Sequence, residues 1–176
     1  TLLVAACSEI EVRPAPLDNF TAAGYHYYKW RSAPLPAATS ANDPAYLMDP
    51  ILRKEVNAEL ARKGYVLDIE RAQFTVDYIF ASGLRMGERS EEAYNISPYP
   101  SVNPTRQTNQ AVVDNAYALG GVKETRNIAL QFNDVKTKKE VWQVIFTKIV
   151  EDVNRVDPDE LKKSLKKGVE LALRPL

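Results

Sequence analysis

The sequence predicts an α+β fold in which an antiparallel or mixed sheet of about five strands carries two helices on one face. Two observations lead to this class. Apolar residues alternate with polar ones in four segments, a pattern typical of strands, and they recur every four positions in two others, a pattern typical of helices. The predicted order is β-α-β-β-(long loop)-β-β-α.

The first strand and the first helix are separated by a loop. Residues 25–30, Tyr-His-Tyr-Tyr-Lys-Trp, are rich in the aromatic residues that favour strands. Residues 33–44 are mainly Ala, Pro, Ser and Asn, which predicts a loop. Asp49 and Pro50 then suit the cap and the first position of a helix, and Gly64 ends it.

Four strands and a second helix follow. Alternation over residues 65–69 and again over 74–80 predicts a short strand and a longer one. Residues 128–132 and 142–148 alternate on either side of a polar turn, which predicts an antiparallel hairpin. The last helix begins at the capping sequence Asp-Pro-Asp-Glu of residues 157–160 and repeats apolar residues every four positions.

Residues 85–125 show neither the alternation typical of strands nor the four-residue repeat typical of helices. Three prolines and several Asn and Ser residues interrupt this stretch, and a connection of about 40 residues is far longer than usual. Tyr94, Tyr99 and Tyr117 lie in it without an obvious place in a core. Because exposed aromatic residues are enriched at protein interfaces, we predict that these three tyrosines bind a partner.

The amino-terminal residues predict a lipid anchor. Residues 3–7, Leu-Val-Ala-Ala-Cys, provide the small residues and the thiol that bacterial lipoprotein processing requires. We therefore interpret residues 1–6 as the remnant of a signal peptide and Cys7 as the lipidated first residue of the mature protein. The alternative is a buried cysteine in a short apolar strand, and the polar, proline-bearing residues that follow speak against it.

This interpretation sets the domain organisation and the location. Residues 7–19 are predicted to be a tether, and residues 20–176 a single periplasmic domain. Two or more acyl chains on Cys7 would hold the protein stably at a membrane. Ser8, directly after the cysteine, favours the periplasmic face of the outer membrane in a Gram-negative bacterium.

Composition excludes several classes of function. The 23 basic residues equal the 23 acidic ones, so the chain lacks the positive charge expected of a nucleic-acid-binding protein. An acylated Cys7 leaves no cysteine for a nucleophile or a disulfide. The only histidine, His26, lies in the aromatic strand and cannot build a usual zinc site alone. We therefore predict neither a metal nor another cofactor.

Three blocks of sequence, in order, resemble a known family. They are Tyr28-Lys29-Trp30, then residues 60–65 leading into 72–78, then residues 130–134 ahead of Glu140-Val141-Trp142. In this order they resemble the bacterial envelope lipoproteins of the domain of unknown function 4136 family.

The resemblance covers residues 20–174 and departs from the family in two places. The family usually has Asp where Gln73 stands, and Arg-Gly where Gln143 and Val144 stand. It implies an α+β domain in the periplasm but no established activity, so no catalytic residue can be carried over.

Two groups of side chains are candidates for binding. Tyr25, Tyr27, Tyr28 and Trp30 could stack on sugar rings, although such residues also pack cores and line sheets. The last helix carries a basic cluster that could contact anionic lipid head groups or could simply be a solvated helix face. The cluster consists of Lys162, Lys163, Lys166 and Lys167.

Acid–base catalysis needs carboxylates that converge in space. The candidates lie where strands end, where solvated acidic residues are also common. They are Asp68, Glu70, Asp77, Glu151 and Asp152. We name no catalytic residue among them.

The sequence favours a non-enzymatic outer-membrane lipoprotein whose periplasmic domain binds another envelope component, most simply a protein. The first alternative is a periplasmic module that binds glycan or lipid, which would need a deep apolar or aromatic-lined pocket. The second is a carboxylate-dependent hydrolase. For the leading hypothesis, deletion of residues 90–120 is expected to abolish partner binding while the domain still folds.

Overall fold

The computed structural model of the chain describes residues 10–36, 44–86, 94–95, 122–150 and 157–176. Within these ranges the chain forms one mixed sheet and three helices, which confirms the predicted α+β class. The elements in chain order are β1 (Ile10–Pro14), α1 (Asp18–Ala23), β2 (Tyr27–Trp30), α2 (Pro44–Arg62), β3 (Val66–Leu67), β4 (Phe74–Met86), β5 (Tyr94–Asn95), β6 (Val122–Asp134), β7 (Glu140–Val150) and α3 (Pro158–Ala172).

The sheet has seven strands, against the five or so predicted, in the order β1-β7-β6-β4-β2-β3, with β5 paired to β4. The strands β1, β7, β6 and β4 are mutually antiparallel, whereas β2 is parallel to both β4 and β3. The predicted hairpin of residues 128–132 and 142–148 is confirmed as the centre of β6 and β7. The longest pairing joins β4 to β6 over 13 residues, from Phe74 opposite Asp134 to Met86 opposite Val122.

The two predicted helices, α2 and α3, pack on one face of the sheet, and α1, which was not predicted, joins them there. Val76, Phe132 and Trp142 stand side by side across β4, β6 and β7, and all three are buried. The apolar residues of α2 and α3 belong to the same core cluster; they are Met48, Leu52, Val56, Leu60, Leu165, Val169 and Ala172. Because successive strand residues alternate between faces, one set of strand residues meets the helices and the other set forms the opposite face.

Phe20 of α1 completes the centre of this core. Its ring lies 5.2 Å from that of Phe74 and 5.5 Å from that of Phe132, and Phe132 in turn packs edge-on against Trp142. Aromatic side chains bury large apolar areas and prefer such tilted contacts. Gly24 then ends α1 in the left-handed conformation that glycine adopts most easily.

The predicted tether over residues 7–19 is wrong from residue 10 onward. Residues 10–14 form β1, which pairs with β7, and residues 18–23 form α1. Trp142 Nε1 donates to the carbonyl oxygen of Ala15 at 3.0 Å, which fixes the connection between them. These elements have only five and six residues, too few for a clear period to stand out beside the prolines.

The predicted start of the first long helix is also wrong. The helix begins at Pro44, so Asp49 is not its cap and Pro50 lies inside it. Asp49 and Pro50 fit a helix start by type, but a proline is also tolerated inside a helix when tertiary packing outweighs its local cost. The end of the helix, before Gly64, is as predicted.

The remaining differences concern strand lengths. The strand predicted over residues 65–69 has only two residues, because a turn begins at Asp68. The predicted long loop over residues 85–125 contains the end of β4, the start of β6 and the short β5. The rest of that loop lies outside the described residues.

Candidate functional site

The four aromatic residues predicted to stack on a ligand divide into two pairs. Tyr28 is 1% exposed and its ring stacks on Phe74, so it has no free face and the prediction is wrong for this residue. Tyr25 packs against Phe20, and its hydroxyl donates to Asp134 Oδ2 at 2.7 Å. Burial and the carboxylate of Asp134 together raise the pKa of Tyr25 to about 12.

Trp30 and Tyr27 are each covered by an arginine. The guanidinium of Arg53 lies 4.4 Å from the ring centre of Trp30, and that of Arg71 lies 4.2 Å from the ring centre of Tyr27. Such cation–π contacts occupy the ring face on which a sugar would stack. The aromatic strand therefore serves mainly intramolecular contacts.

Arg53 and Asp49 form a buried ion pair one helical turn apart on α2. Arg53 Nε donates to Asp49 Oδ1 at 2.9 Å, and the two residues are only 7% and 1% exposed. The other guanidinium nitrogens donate to the backbone oxygens of Ser32 and Ala33. Because both charges are paired and hydrogen-bonded, the pair fixes the segment after β2 against α2.

Asp49 also accepts hydrogen bonds from outside the helix. The hydroxyl of Tyr78 donates to Asp49 Oδ1 at 2.6 Å, and the backbone N–H of Leu35 donates to Asp49 Oδ2 at 3.0 Å. Burial alone would raise the pKa of Asp49. The hydrogen bonds from Tyr78, Arg53 and Leu35, with the charge of Arg53, outweigh burial and lower that pKa.

Asn57, one further turn along α2, extends this network. Its Oδ1 accepts from the hydroxyl of Tyr28 and from Trp30 Nε1, each at 2.9 Å. The polar row Asp49, Arg53 and Asn57 therefore ties β2 to α2, beside the apolar row that enters the core. These hydrogen bonds stabilise the packing of α2 on β2 and β4.

A rigid turn follows β3 at the edge of the sheet. Asp68 Oδ1 accepts from the backbone N–H groups of Glu70 and Arg71, and Asp68 Oδ2 accepts from Arg71 Nε at 2.7 Å. Arg71 reaches on to the hydroxyl of Tyr27 at 3.1 Å. The hydrogen bonds from the backbone and side chain of Arg71 lower the pKa of Asp68, so the turn is held by a charged carboxylate.

This turn presents apolar side chains to solvent. Val66 and Leu67 of β3 are each about half exposed, and Ile69 at the tip of the turn is 74% exposed. We call these three residues the β3 edge. Val66 and Leu67 point to opposite faces of the sheet, because they are successive residues of a strand.

The backbone of the β3 edge faces solvent in part. The N–H groups of Val66 and Asp68 donate to the backbone oxygens of His26, just before β2, and of Tyr28 on β2. Because alternate residues of a strand direct their N–H and C=O groups to opposite sides, those of Leu67 point away from the sheet. The β3 edge therefore combines outward-pointing backbone groups with apolar side chains on both faces.

The opposite edge of the sheet, β1, has a different chemistry. It carries Arg13 and Pro14, both exposed, and proline has no N–H to donate to an incoming strand. The first residue, Ile10, lies opposite Lys148 of β7. Lys148 Nζ donates to Ser164 Oγ at 2.7 Å and to Glu160 Oε1 at 3.1 Å, so the start of β1 lies beside α3.

The four lysines predicted as a basic cluster are all exposed on α3. Asp157 caps the helix by accepting from the N–H groups of Asp159 and Glu160, as predicted from the sequence. The buried side of the helix meets β7, where Gly168 lies against the ring of Phe146. The lysines occupy the side that faces away from the sheet.

The candidate carboxylates have structural partners or lie outside the described residues. Asp68 holds the turn, and Asp77 lies 3.7 Å from Arg31 on the face of the sheet opposite the helices. Glu70 is exposed beside Asp68, whereas Glu151 and Asp152 lie outside the described residues. In the part of the chain that the structure describes, no three His, Cys, Asp or Glu residues are grouped as a metal site would require.

Several other predicted residues fall outside the described part. Cys7, Tyr99 and Tyr117 are among them, and Tyr94 is described only as a backbone position of β5 paired with Met86. His26 is exposed, and its backbone N–H donates to Gln73 Oε1 at 2.7 Å. None of the helices among the described residues is long and apolar enough to cross a membrane.

The β3 edge and the hydrogen bonds of Asp49 with Arg53, Tyr78 and Leu35 were not predicted. The alternation of Tyr65, Leu67 and Ile69 predicts a strand, but it does not indicate that this strand lies at the edge of the sheet. The spacing of Asp49 and Arg53, four residues apart, was a signal for an ion pair on one helix face.

Comparison with known proteins places the chain in a family. No curated protein matches the sequence significantly. Among solved structures, a PDZ domain protein from Parabacteroides distasonis ATCC 8503 is 12% identical with a TM-score of 0.48. The match covers 84% of this chain and 31% of the PDZ domain protein. This chain thus spans about a third of that protein.

A PelC dodecamer from Paraburkholderia phytofirmans is 12% identical with a TM-score of 0.40, and the match covers 92% of this chain and 96% of PelC. Likenesses this distant carry no statement about activity. The sequence itself matches the family described as "Domain of unknown function (DUF4136)" over residues 16–175. Since this match spans nearly the whole chain, the protein belongs to the DUF4136 family.

Proposed function

We propose that this protein is a non-enzymatic, lipid-anchored module of the bacterial envelope that binds another envelope protein at the β3 edge. The observation that carries the proposal is the exposure of Val66, Leu67 and Ile69 on a turn that Asp68 and Arg71 hold rigid. Single exposed apolar residues are common on protein surfaces, but three within four positions of an edge strand favour an interface.

The shape of this edge favours an extended segment of the partner. A strand added beside β3 would bond to the outward-pointing backbone groups of Leu67 and would cover side chains on both faces. A helix would cover only one face. Since β3 has just two residues, most of the binding energy must come from the apolar side chains, above all Ile69.

The packing of the core favours a protein partner over a small ligand. A glycan or lipid module needs an open, aromatic-lined pocket, whereas Tyr28, Phe74, Phe132 and Trp142 lie fully buried between sheet and helices. Arg53 and Arg71 each cover one ring face of Trp30 and Tyr27. Val66, Leu67 and Ile69 of the β3 edge remain exposed among the described residues.

Photocrosslinking in cells of the native host tests the binding site. A photoreactive residue in place of Ile69 should give one discrete protein adduct, and the adduct should map to an extended segment of the partner. The same residue in place of Lys136, which is exposed in the turn after β6, is the matched control.

A Leu67→Asp substitution beside the photoreactive position should abolish the adduct, because a charge on the edge opposes apolar contact. The proposal is wrong if the adduct persists in that variant or if the control position gives the same adduct. Folding of each variant is checked by circular dichroism. These positions are exposed, so their substitution should leave the core intact.

The anchor is tested separately by mass spectrometry of the protein from its host. We expect Cys7 as the first residue, carrying acyl chains. An unmodified Cys7 would remove the anchor from the proposal and leave the β3 edge to be judged by crosslinking.

A further inference from the structure

Helix α3 carries a lysine row on the flank that is continuous with its contact to β7. Lys163 and Lys167 follow Glu160 and Ser164 at spacings of three and four residues, so the four side chains share one flank of the helix. Lys162 and Lys166 lie next to this row, and all four lysines are exposed. We call these four residues the α3 lysine face.

The acidic residues of α3 only partly offset this charge. Glu160 is engaged by Lys148 of β7, at 3.1 Å. Asp159 lies in the first turn, where its negative charge interacts favourably with the helix dipole, and Glu170 lies near the other end. The middle of the exposed side is therefore positive, although the chain as a whole is neutral.

The start of β1 lies at this same place. Ile10 stands opposite Lys148, and Lys148 bonds to Glu160 and Ser164 of α3. Cys7 is three residues before Ile10. Since an extended chain spans at most about 3.6 Å per residue, an anchor at Cys7 would be joined to β1 by no more than about 11 Å of chain.

We propose that the α3 lysine face rests on the anionic head groups of the membrane to which Cys7 is anchored. This inference rests on the anchor in the proposed function and adds an orientation to it. A tether of 13 residues would have left the domain free to turn, whereas β1 leaves only a few residues between the acylated cysteine and the sheet.

The contact is electrostatic. Leu165 and Val169 of α3 are buried in the core, so the helix offers no apolar face to insert among acyl chains. Lysine ammonium groups instead gain from the negative potential of phosphate head groups, within about a Debye length of the surface. The rival interpretation, a solvated helix face, predicts no preference for anionic lipid.

Vesicle binding by the full chain carrying Cys7→Ser tests the proposal without the anchor. We expect binding to vesicles of phosphatidylcholine with phosphatidylglycerol, little binding to phosphatidylcholine alone, and weakening with added salt. Each neutralised lysine should weaken binding about fivefold, so Lys163→Gln with Lys167→Gln should weaken it roughly 25-fold. Replacing both by arginine should preserve binding.

Lys136→Gln with Lys139→Gln provides the matched control, because both lysines are exposed in the turn at the other end of β7. This pair should bind as the parent chain does. The proposal is overturned if anionic vesicles are not bound, or if both lysine pairs contribute equally. Because Cys7 is absent from this test, such a result is distinguishable from failure of the anchor, which the mass of Cys7 reports.

Discussion

At the scale of single residues, the structure depends on a few buried polar groups that sequence periodicity does not reveal. Asp49 has the residue type of a helix cap, but its partners are Arg53, Tyr78 and the backbone of Leu35. Two of these partners are distant in sequence, and only the packing of α2 on β4 brings them together. The i,i+4 spacing to Arg53 was readable from the sequence, whereas the contact with Tyr78 was not.

Substitution Asp49→Ala should lower the free energy of unfolding by about 3–5 kcal/mol, because it leaves the guanidinium of Arg53 buried without its counter-charge. Urea denaturation at neutral pH measures the change. The matched control is Asp77→Ala: its partner Arg31 is 65% exposed, so we expect a loss of about 1 kcal/mol or less. Equal losses at the two positions would show that burial of the pair does not decide its contribution.

The same carboxylate predicts a dependence of stability on pH. The pKa of Asp49 is lower in the folded chain than in the unfolded chain, so the folded state favours the charged form. Its contribution is present above the unfolded pKa of about 4 and is lost as the pH falls through the folded pKa. The difference in unfolding free energy between the parent chain and Asp49→Asn should therefore shrink below about pH 4; a constant difference contradicts this.

At the scale of elements, the long regular strands and α3 were predictable and the short or locally unfavourable elements were not. The hairpin of β6 and β7 and the cap of α3 follow from alternation and from Asp157. β1 and α1 are too short to show a period, and Pro50 conceals the true start of α2. In each case tertiary contacts outweigh the local signal.

Gly168 in α3 is a second place where packing outweighs propensity. A Cβ atom there would lie 2.7 Å from Cδ2 of Phe146, so the ring of Phe146 would have to move. Gly168→Ala should lower the free energy of unfolding. Overpacking destabilises by about 1–3 kcal/mol, whereas the better helix propensity of alanine stabilises by at most about 1 kcal/mol. Thermal unfolding measures this, and the loss should diminish when Phe146→Leu is added; an unchanged loss would assign the effect to another cause.

At the scale of the whole molecule, the sequence predicted the fold class and the face that carries the helices, but not the surfaces that we propose to bind. Alternation and four-residue repeats indicate which side chains enter a core, but they do not indicate which strand lies at the edge of the sheet. The exposure of Ile69 depends on β3 being the last strand of the sheet and on the turn that Asp68 holds. Both follow from topology.

The incorporation of β1 into the sheet can be tested by introducing a charge. Val12 packs against the core from β1, so Val12→Asp should lower the unfolding free energy by about 1–3 kcal/mol. Asn19→Asp, at an exposed position of α1, should be close to neutral. The fluorescence of Trp142, whose indole bonds to Ala15, follows the unfolding of this region. If Val12→Asp is also neutral, residues 10–14 behave as the tether that the sequence predicted.

The strand order also sets the distance between the two edges of the sheet. β1 and β3 are the first and last strands of a path with five intervals, and neighbouring strands lie about 4.8 Å apart, so the two edges are separated by roughly 24 Å. An anchor at one edge and a partner at the other would thus be joined by a hydrogen-bonded spacer of constant width. The distance between the captured protein and the strand nearest the anchor would be fixed by the number of strands, and lengthening the surface loops would not change it.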